Sequence, residues 1–337
     1  MSRDWITEAP RTSLGFLPTP LTPLDRLSAE LGGPRIWLKR DDCTGLATGG
    51  NKTRKLEYLM ADALAQEADV VVTFGAAQSN HARQTAAACA ALGLPCHLLL
   101  ACKVPWDHPG YHTAGNVLLD RLLAEVVELV EPVRFAAARE RLLDGLDRQG
   151  RLPYVIPVGG SNPIGAMGYA RCALELHEQA EACGFELTDV MHASSSAGTQ
   201  AGLLAGFAGL AADGAPAPAV HGINVSEPDP DTLPGQVLEI AGGIIEQRGL
   251  AVSVHASDIR VDDRYFGGAY GIPTPATLDV IRLLARTEGV LMDPVYSGKA
   301  FSALVDRVQR GEFGDTRDLV FIHTGGTAVL GVYDNAF

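Results

Sequence analysis

The chain has 337 residues, 47% of them hydrophobic and 20% charged, with a formal net charge of -13. That length suits two domains or one large α/β unit around a sizeable core. The acidic balance excludes long-range attraction to nucleic acid or an anionic membrane, so an anionic substrate must find its cations locally.

Residues 1–34 are proline-rich and mostly irregular, with Leu17-Pro18-Thr19-Pro20-Leu21 as an extended anchor and a short helix from Leu24 to Leu31. Arg35 to Arg40 reads as a strand, followed by Asp41-Asp42 and a loop to Gly50. Leu56, Leu59, Met60, Ala63 and Leu64 recur at helical spacing. Val70 to Gly75 is a continuous apolar strand of the buried parallel kind. A helix opens at Gln78-Ser79-Asn80-His81 and stops at Gly93.

Strands at Cys96–Leu100 and Val126–Val130 bracket a helix at Asn116–Ala124, and a helix from Arg134 to Arg148 precedes the apolar run at Tyr154. A long helix spans about Pro163 to Cys183, with proline in its first turn. Asp189–Ala193 and Val220–Val225 are strands, the first leading through Ser194–Gly202 into a helix. Helices come next at Pro234–Gln247, Thr277–Arg286 and Lys299–Arg310, with Val261–Thr274 as a loop. The last strand, Leu319–His323, ends in Thr324-Gly325-Gly326-Thr327. This alternation predicts twisted, mainly parallel sheets with helices on both faces.

The six cysteines form no Cys-x-x-Cys pair and lie mostly in apolar runs. They read as reduced thiols of a cytoplasmic protein, with neither a disulfide framework nor a zinc site. Met1 to Trp5 carries no signal peptide, and no apolar run is long enough to span a bilayer.

The most informative stretch is Thr48-Gly49-Gly50-Asn51-Lys52-Thr53-Arg54-Lys55. Asn51 is placed to cap the next helix, which puts Lys52 in its first turn, where a cation opposes the helix dipole. The placement suits a lysine that is neutral because it is bound as an imine, its pKa lowered by Arg54 or Lys55. A solvated lysine at a helix start is the plain alternative. A nucleotide P-loop is rejected, because Asn51 separates Gly50 from Lys52-Thr53 and breaks the Gly-Lys-Thr core.

Gln78–His81, Ser194–Gly202 and Thr324–Thr327 each come after a strand. Ligands of parallel sheets gather at such carboxyl ends, so the three stretches converge on one crevice. Ser194 to Gly202 is either a tight turn or an anion cradle, with backbone N–H groups turned inward at a helix N-terminus. No Gly-x-Gly-x-x-Gly comes after the first strand, so a phosphate monoester fits better than a dinucleotide.

An imine-forming lysine, a phosphate nest and a strand-end crevice together suggest pyridoxal 5′-phosphate. On these residues the chain resembles the fold-type II pyridoxal-phosphate enzymes, the tryptophan synthase β-subunit-like group. The nearest branch holds D-cysteine desulfhydrase, 1-aminocyclopropane-1-carboxylate (ACC) deaminase and L-cysteate sulfo-lyase. The matching segments run from Leu17-Pro18-Thr19-Pro20 to Tyr333-Asp334-Asn335-Ala336-Phe337. Among the most specific are Gln78 to Thr85, Ser196 to Gly202, Tyr270-Gly271-Ile272-Pro273 and Asp293 to Lys299.

The resemblance implies that Lys52 binds the cofactor covalently and moves the α-proton. It implies that Lys55 and the nest Ala197, Gly198, Thr199, Gln200 and Gly202 hold the phosphate. Asn80 faces the phenolic oxygen, and Ser79, Asn80 and His81 receive the substrate carboxylate. Tyr270 and Tyr296 line the substrate side as a proton relay, with Lys52 and Ser79 completing the catalytic set. His81 also reads as a residue that only covers the pocket, and each tyrosine as a core residue with a satisfied hydroxyl.

Where the deaminases carry a glutamate after the second tyrosine, this chain has Ser297, and Thr324 is a second neutral candidate for the pyridine nitrogen. A neutral partner stabilises a charged ring nitrogen less, which favours β-elimination over ring opening. The resemblance thus implies elimination from a sulfur-substituted alanine, first L-cysteate to pyruvate, ammonia and sulfite. D-cysteine desulfhydrase is the alternative, and ACC deaminase comes last. The Asp41 to Leu46 run, Thr53 and the C-terminal Tyr333 to Phe337 resemble the cysteate branch. Ala101 to Gly115 and Ser226-Glu227 depart from it, and a glutamate near a sulfonate is unfavourable. A ligand-binding regulator built on the same fold would have lost the lysine or the relay residues, and this chain keeps them. The implied architecture is a larger domain of residues 1–53 and 164–337, a smaller one of 54–163, and a homodimer.

Overall fold

The computed structural model describes residues 3–227, 229–314 and 316–337. The chain opens with α1 (Asp4–Thr7), β1 (Leu21–Pro23), α2 (Asp25–Leu31), β2 (Arg35–Lys39) and α3 (Lys52–Ala65). Next come β3 (Val70–Ala76), α4 (Asn80–Leu92), β4 (Cys96–Ala101), α5 (Asn116–Leu123), β5 (Val126–Val130), α6 (Phe135–Arg148) and β6 (Pro153–Ile156). The rest is α7 (Pro163–Cys183), β7 (Asp189–Ser194), α8 (Gly198–Ala211), β8 (Ala219–Asn224), α9 (Thr232–Gln247), β9 (Arg260–Asp262), α10 (Pro275–Glu288), α11 (Ser297–Gln309) and β10 (Asp318–Ile322).

Two sheets result. The larger runs β1-β2-β10-β7-β8-β9, and the smaller β5-β4-β3-β6. Every pairing is parallel except β1 on β2. Side chains alternate between faces along a strand, and β10 shows what that does here. Val320 and Ile322 join the core under α7, α8 and α9, while Leu319 and Phe321 join the core under α2, α10 and α11. The smaller sheet divides likewise, Val71, Leu98 and Leu100 packing toward α3 and α4, Val72, Phe74 and Leu99 toward α6. Strands buried on both faces read as unbroken apolar runs, which is why they stood out in the sequence.

Three short elements were not expected: α1, β1 and β9, the last of which takes the start of the expected 261–274 loop. Ser79, Asn162 and Thr274 cap α4, α7 and α10 with side-chain oxygens. Asn51 does not cap α3: it is itself helical in backbone, and its side chain accepts no cap hydrogen bond.

Arg54 is fully buried and serves neither as a neighbour for Lys52 nor as a surface charge. Its guanidinium donates to both oxygens of Asp41 at 2.8 and 2.9 Å and to both oxygens of Glu175 at 3.0 and 2.8 Å. Burial pushes the Asp41 carboxyl up, but Arg54, Lys39 and Tyr169 together hold it below the usual range. α3 is thereby tied to the larger sheet, while its Leu56, Leu59 and Met60 pack with the smaller one.

Candidate active site

A cavity of about 520 Å³ lies where the carboxyl ends of the two sheets meet. Its wall is built from the segments just past the strands: Ser79–His81 after β3, Lys103 after β4, Phe135 after β5, Ser194–Ala197 after β7, Ser226-Glu227 after β8 and Thr324 after β10. Asn51, Lys52, Thr199, Tyr270 and Tyr296 line it too. The three polar stretches do converge, as strand-end topology requires.

Lys52 opens α3, and its Nζ donates to Asn51 Oδ1 at 2.8 Å. Burial pushes its ammonium down to about 8; Asp293 pulls upward and Arg83 adds to the depression. The cation that helps is therefore Arg83, not Arg54. Arg83 is itself fixed, donating to Gly49 O at 2.7 Å and Asn116 Oδ1 at 3.1 Å. Gly325, at φ +89°, lets the β10 turn close on Gly50, because a Cβ there would stand 2.8 Å from Gly50 Cα.

Lys55 lies one turn further along α3, fully buried, donating to Gly159 O at 3.1 Å and Ser161 Oγ at 2.9 Å. Among the described residues no carboxylate pairs with it. Burial, then Lys52, push it well below the usual lysine range. Above it Ala197 takes φ +62° and α8 begins at Gly198. A Cβ on Gly198 would sit 2.7 Å from Ser161 Oγ and 2.9 Å from Lys55 Nζ. A buried, uncompensated ammonium beneath a helix N-terminus and a turn of small residues is what a phosphate monoester needs. The residues present fit pyridoxal phosphate, with Lys52 for its aldehyde and this cradle for its phosphate.

Asn80 Oδ1 accepts from Asn116 Nδ2 at 2.8 Å, which leaves the amide's NH2 end as its free donor. Ser79 Oγ accepts from Ala82 N at 3.1 Å, so its hydroxyl hydrogen remains to donate. His81 also lines the cavity but leans on β3: Thr73 Oγ1 donates to Ile156 O, so the hydrogen in the 2.8 Å contact between Thr73 and His81 belongs to His81 Nε2. Burial, then Lys52 and Lys55, hold its imidazole neutral, well below the usual histidine range. Tyr270 and Tyr296 share a hydrogen bond between their hydroxyls, and burial raises both phenols above their ordinary value.

Three expected site residues stand elsewhere. Gln200 spends its side chain on Val220 O at 3.3 Å and Arg260 O at 2.8 Å. Gly202 is a helix-packing glycine, since a Cβ there would meet Ala166 O of α7 at 2.2 Å. Ser297 is buried off the cavity wall, its hydroxyl donating to Asp293 Oδ1 at 2.5 Å, so of the two neutral candidates only Thr324 lines the cavity. The sequence alone did not single out Lys103 or Phe135. The rule that places Ser79, that residues after a strand end reach the crevice, applies equally to both.

Comparison with known proteins agrees with this geometry. The chain is 45% identical over 334 residues to a D-cysteine desulfhydrase of Serratia proteamaculans, covering 97% of each. It is 43% identical over 334 residues to a 1-aminocyclopropane-1-carboxylate deaminase of Burkholderia vietnamiensis, again covering 97% of each. A solved structure described as an ACC deaminase homologue superposes with a TM-score of 0.86 at 35% identity, covering 100% of this chain and 98% of that one. The pattern of the family described as "Pyridoxal-phosphate dependent enzyme" matches residues 12–325. The chain therefore belongs to the pyridoxal-phosphate-dependent enzymes of fold type II.

Proposed function

We propose that this enzyme is a carbon–sulfur lyase that eliminates the sulfur group from Cβ of a substituted alanine, with L-cysteate as its substrate and pyruvate, ammonia and sulfite as its products. One observation carries the choice of elimination over ring opening: no carboxylate stands where the deaminases resembled in sequence place one. Ser297 occupies that position, and of the two neutral candidates only Thr324 lines the cavity. Of the described residues in the wall the one carboxylate is Glu227.

Bound pyridoxal phosphate supplies the electron sink that acidifies the substrate's Cα proton. Lys52 would hold the cofactor and, with its amine free, would be the base that takes that proton. The substrate carboxylate is received by the Ser79 hydroxyl and the N-terminus of α4, where the dipole favours an anion. As the proton leaves Cα, its electron pair forms the Cα=Cβ bond and the Cβ–S bond breaks, sulfite departing with the bonding pair. The 2-aminoacrylate set free takes up one water and yields pyruvate and ammonia. The Tyr270–Tyr296 pair, neutral because burial opposes ionisation, is the proton source for the departing group.

A second reading is D-cysteine desulfhydration, with sulfide leaving. The Serratia relative and Glu227, which opposes a sulfonate, favour it. Keto-acid release from L-cysteate, D-cysteine, L-cysteine and 1-aminocyclopropane-1-carboxylate, offered separately, decides among them. Pyruvate with matching sulfite is the expected result. Sulfide from D-cysteine transfers the assignment to the second reading, and 2-oxobutyrate from the cyclopropane overturns the argument from Ser297.

A further inference from the structure

The wall holds two charged groups that the proposed elimination leaves unused. Lys103 comes after β4 of the smaller sheet and Glu227 after β8 of the larger, so they come from different sheets. Lys103 Nζ stands 4.6 Å from the centroid of the Tyr270 ring. The Lys103 side chain is exposed overall; the part of it held out of water at the cavity lowers its ammonium, and the Glu227 carboxylate opposes that, so the two feel each other across the cavity. Glu227 is oriented by its own loop, since its Oε1 accepts from Asp229 N at 3.1 Å.

A lysine resting on an aromatic face is ordinarily a solvated cation. Two facts separate this one. It lines the same cavity as Lys52 and sits on the ring of a tyrosine whose hydroxyl bonds Tyr296. And with Lys52 committed to the cofactor and His81 neutral, Lys103 is the cation left in the wall among the described residues.

We infer that Lys103 is a specificity-determining residue whose ammonium receives the anionic group on the substrate's side chain, while Glu227 limits how much negative charge that end of the cavity accepts. The substrate class is an amino acid with a second, strongly acidic group. This rests on the elimination reading only for the identity of the leaving group. The binding claim is separable from it, because a ligand with its acidic group one carbon further out cannot lose it by β-elimination.

The test uses the holoenzyme and its visible absorbance, titrated with homocysteate and, for comparison, with 2-aminobutyrate, each in both hands. Lys103→Met is expected to weaken homocysteate at least about 10-fold while 2-aminobutyrate moves less than about 2-fold, the loss of one partly solvated ion pair. Glu227→Gln is expected to tighten homocysteate about 3-fold or more, the opposite sign. The two signs together separate charge recognition from a structural role, which would weaken both ligands in both variants. Equal losses for the two ligands, a homocysteate preference absent from the unsubstituted enzyme, or weaker homocysteate binding in Glu227→Gln overturns the inference. Lys103-dependent homocysteate binding in an enzyme that releases no pyruvate from cysteate or cysteine leaves Lys103 assigned and sinks the elimination reading. Elimination without that dependence does the reverse.

Discussion

Lys52 and Asn51 are consecutive residues joined side chain to side chain: Lys52 Nζ donates to Asn51 Oδ1 at 2.8 Å, while Asn51 Nδ2 reaches Thr199 Oγ1 at 3.4 Å. The amide that sequence logic assigns to the helix end instead holds the amine at the cavity. An amine buried there, with its pKa pushed down to about 8, is the free nucleophile over part of the neutral range. The rate at which apoprotein takes up pyridoxal phosphate, read from protein-bound visible absorbance, should rise with pH through about 8. Asp293 opposes the depression, so Asp293→Asn should move the midpoint lower. Lys52→Ala should abolish the covalent absorbance. A midpoint near 10.5, the ordinary lysine value, would contradict this account.

Lys55→Met should act in opposite directions on two measurements. Removing a buried cation without a carboxylate partner should raise the melting temperature of the apoprotein. Losing that cation from the cradle should weaken pyridoxal phosphate about 10- to 100-fold, roughly 1.4–2.8 kcal/mol. A lysine whose folded pKa is depressed binds fewer protons folded than unfolded, so its cost is full at low pH and gone above 10.5. The stabilisation by Lys55→Met should therefore shrink as pH rises toward 10.5. A variant apoprotein less stable than the parent at neutral pH would count against the cradle.

The paired phenols predict a kinetic effect without a binding one. Tyr296→Phe and Tyr270→Phe should each lower turnover about 10²-fold, the ordinary yield of a positioned acid. The cofactor's absorbance should persist, because neither hydroxyl is needed for the cradle. Loss of absorbance in step with loss of turnover would make the tyrosines structural.

Two glycines of one helix should fail differently. A Cβ at Gly202 meets Ala166 O at 2.2 Å, so Gly202→Ala should cost about 1–3 kcal/mol of stability as α8 is pushed off α7. A Cβ at Gly198 meets Ser161 Oγ and Lys55 Nζ, so Gly198→Ala should chiefly weaken cofactor binding. Equilibrium unfolding of the apoproteins and cofactor titration separate the two.

Asp120, on α5, is fully buried with no hydrogen-bond partner on either carboxylate oxygen among the described residues. Burial raises it to about 8, and Arg83 opposes only in part. A carboxyl raised in the folded state contributes fully below its unfolded value near 3.8, and that contribution is lost as pH climbs to about 8. Asp120→Asn should match the parent protein at low pH and exceed it at about pH 9 by about 1–3 kcal/mol. Denaturant unfolding at or below pH 3.8 and at about pH 9 checks the difference. Equal stability of both proteins at both values refutes it.

Most of the fold was legible because strands covered on both faces, such as Val70 to Gly75, leave unbroken apolar runs, and because Pro163 and Gly184 mark the two ends of α7. The short elements α1, β1 and β9 carry too few residues to impose a period. The crevice was legible from topology, since a strand leading into small polar residues says where they gather. Which way each side chain turns inside that crevice was not. Gln200 and Thr199 are neighbours in one motif, yet one bonds the larger sheet's backbone and the other lines the cavity. Ser297 was drawn off the wall by Asp293, a contact within one turn that no spacing announces. Lys103 sits in a segment whose departure from the cysteate branch was visible, but its position over Tyr270 depends on how the two sheets meet.

The N-terminal stretch looks like a dispensable tail and is not one. Glu57, buried on the helix that carries Lys52, takes hydrogen bonds from Leu14 N at 3.0 Å, Gly15 N at 3.2 Å and Arg11 at 2.6 Å. Further along, the Thr19 hydroxyl donates to Asp41 at 2.8 Å and accepts from Arg54 at 2.9 Å. The residues from Arg11 to Thr19 are thus a strap across the back of α3. Shortening the chain past Thr12 strips partners from a buried carboxylate, and past Thr19 it removes the hydroxyl that bridges Asp41 and Arg54. An affinity tag belongs ahead of the strap, and a protease cut within it should loosen α3 at residues that do not line the cavity.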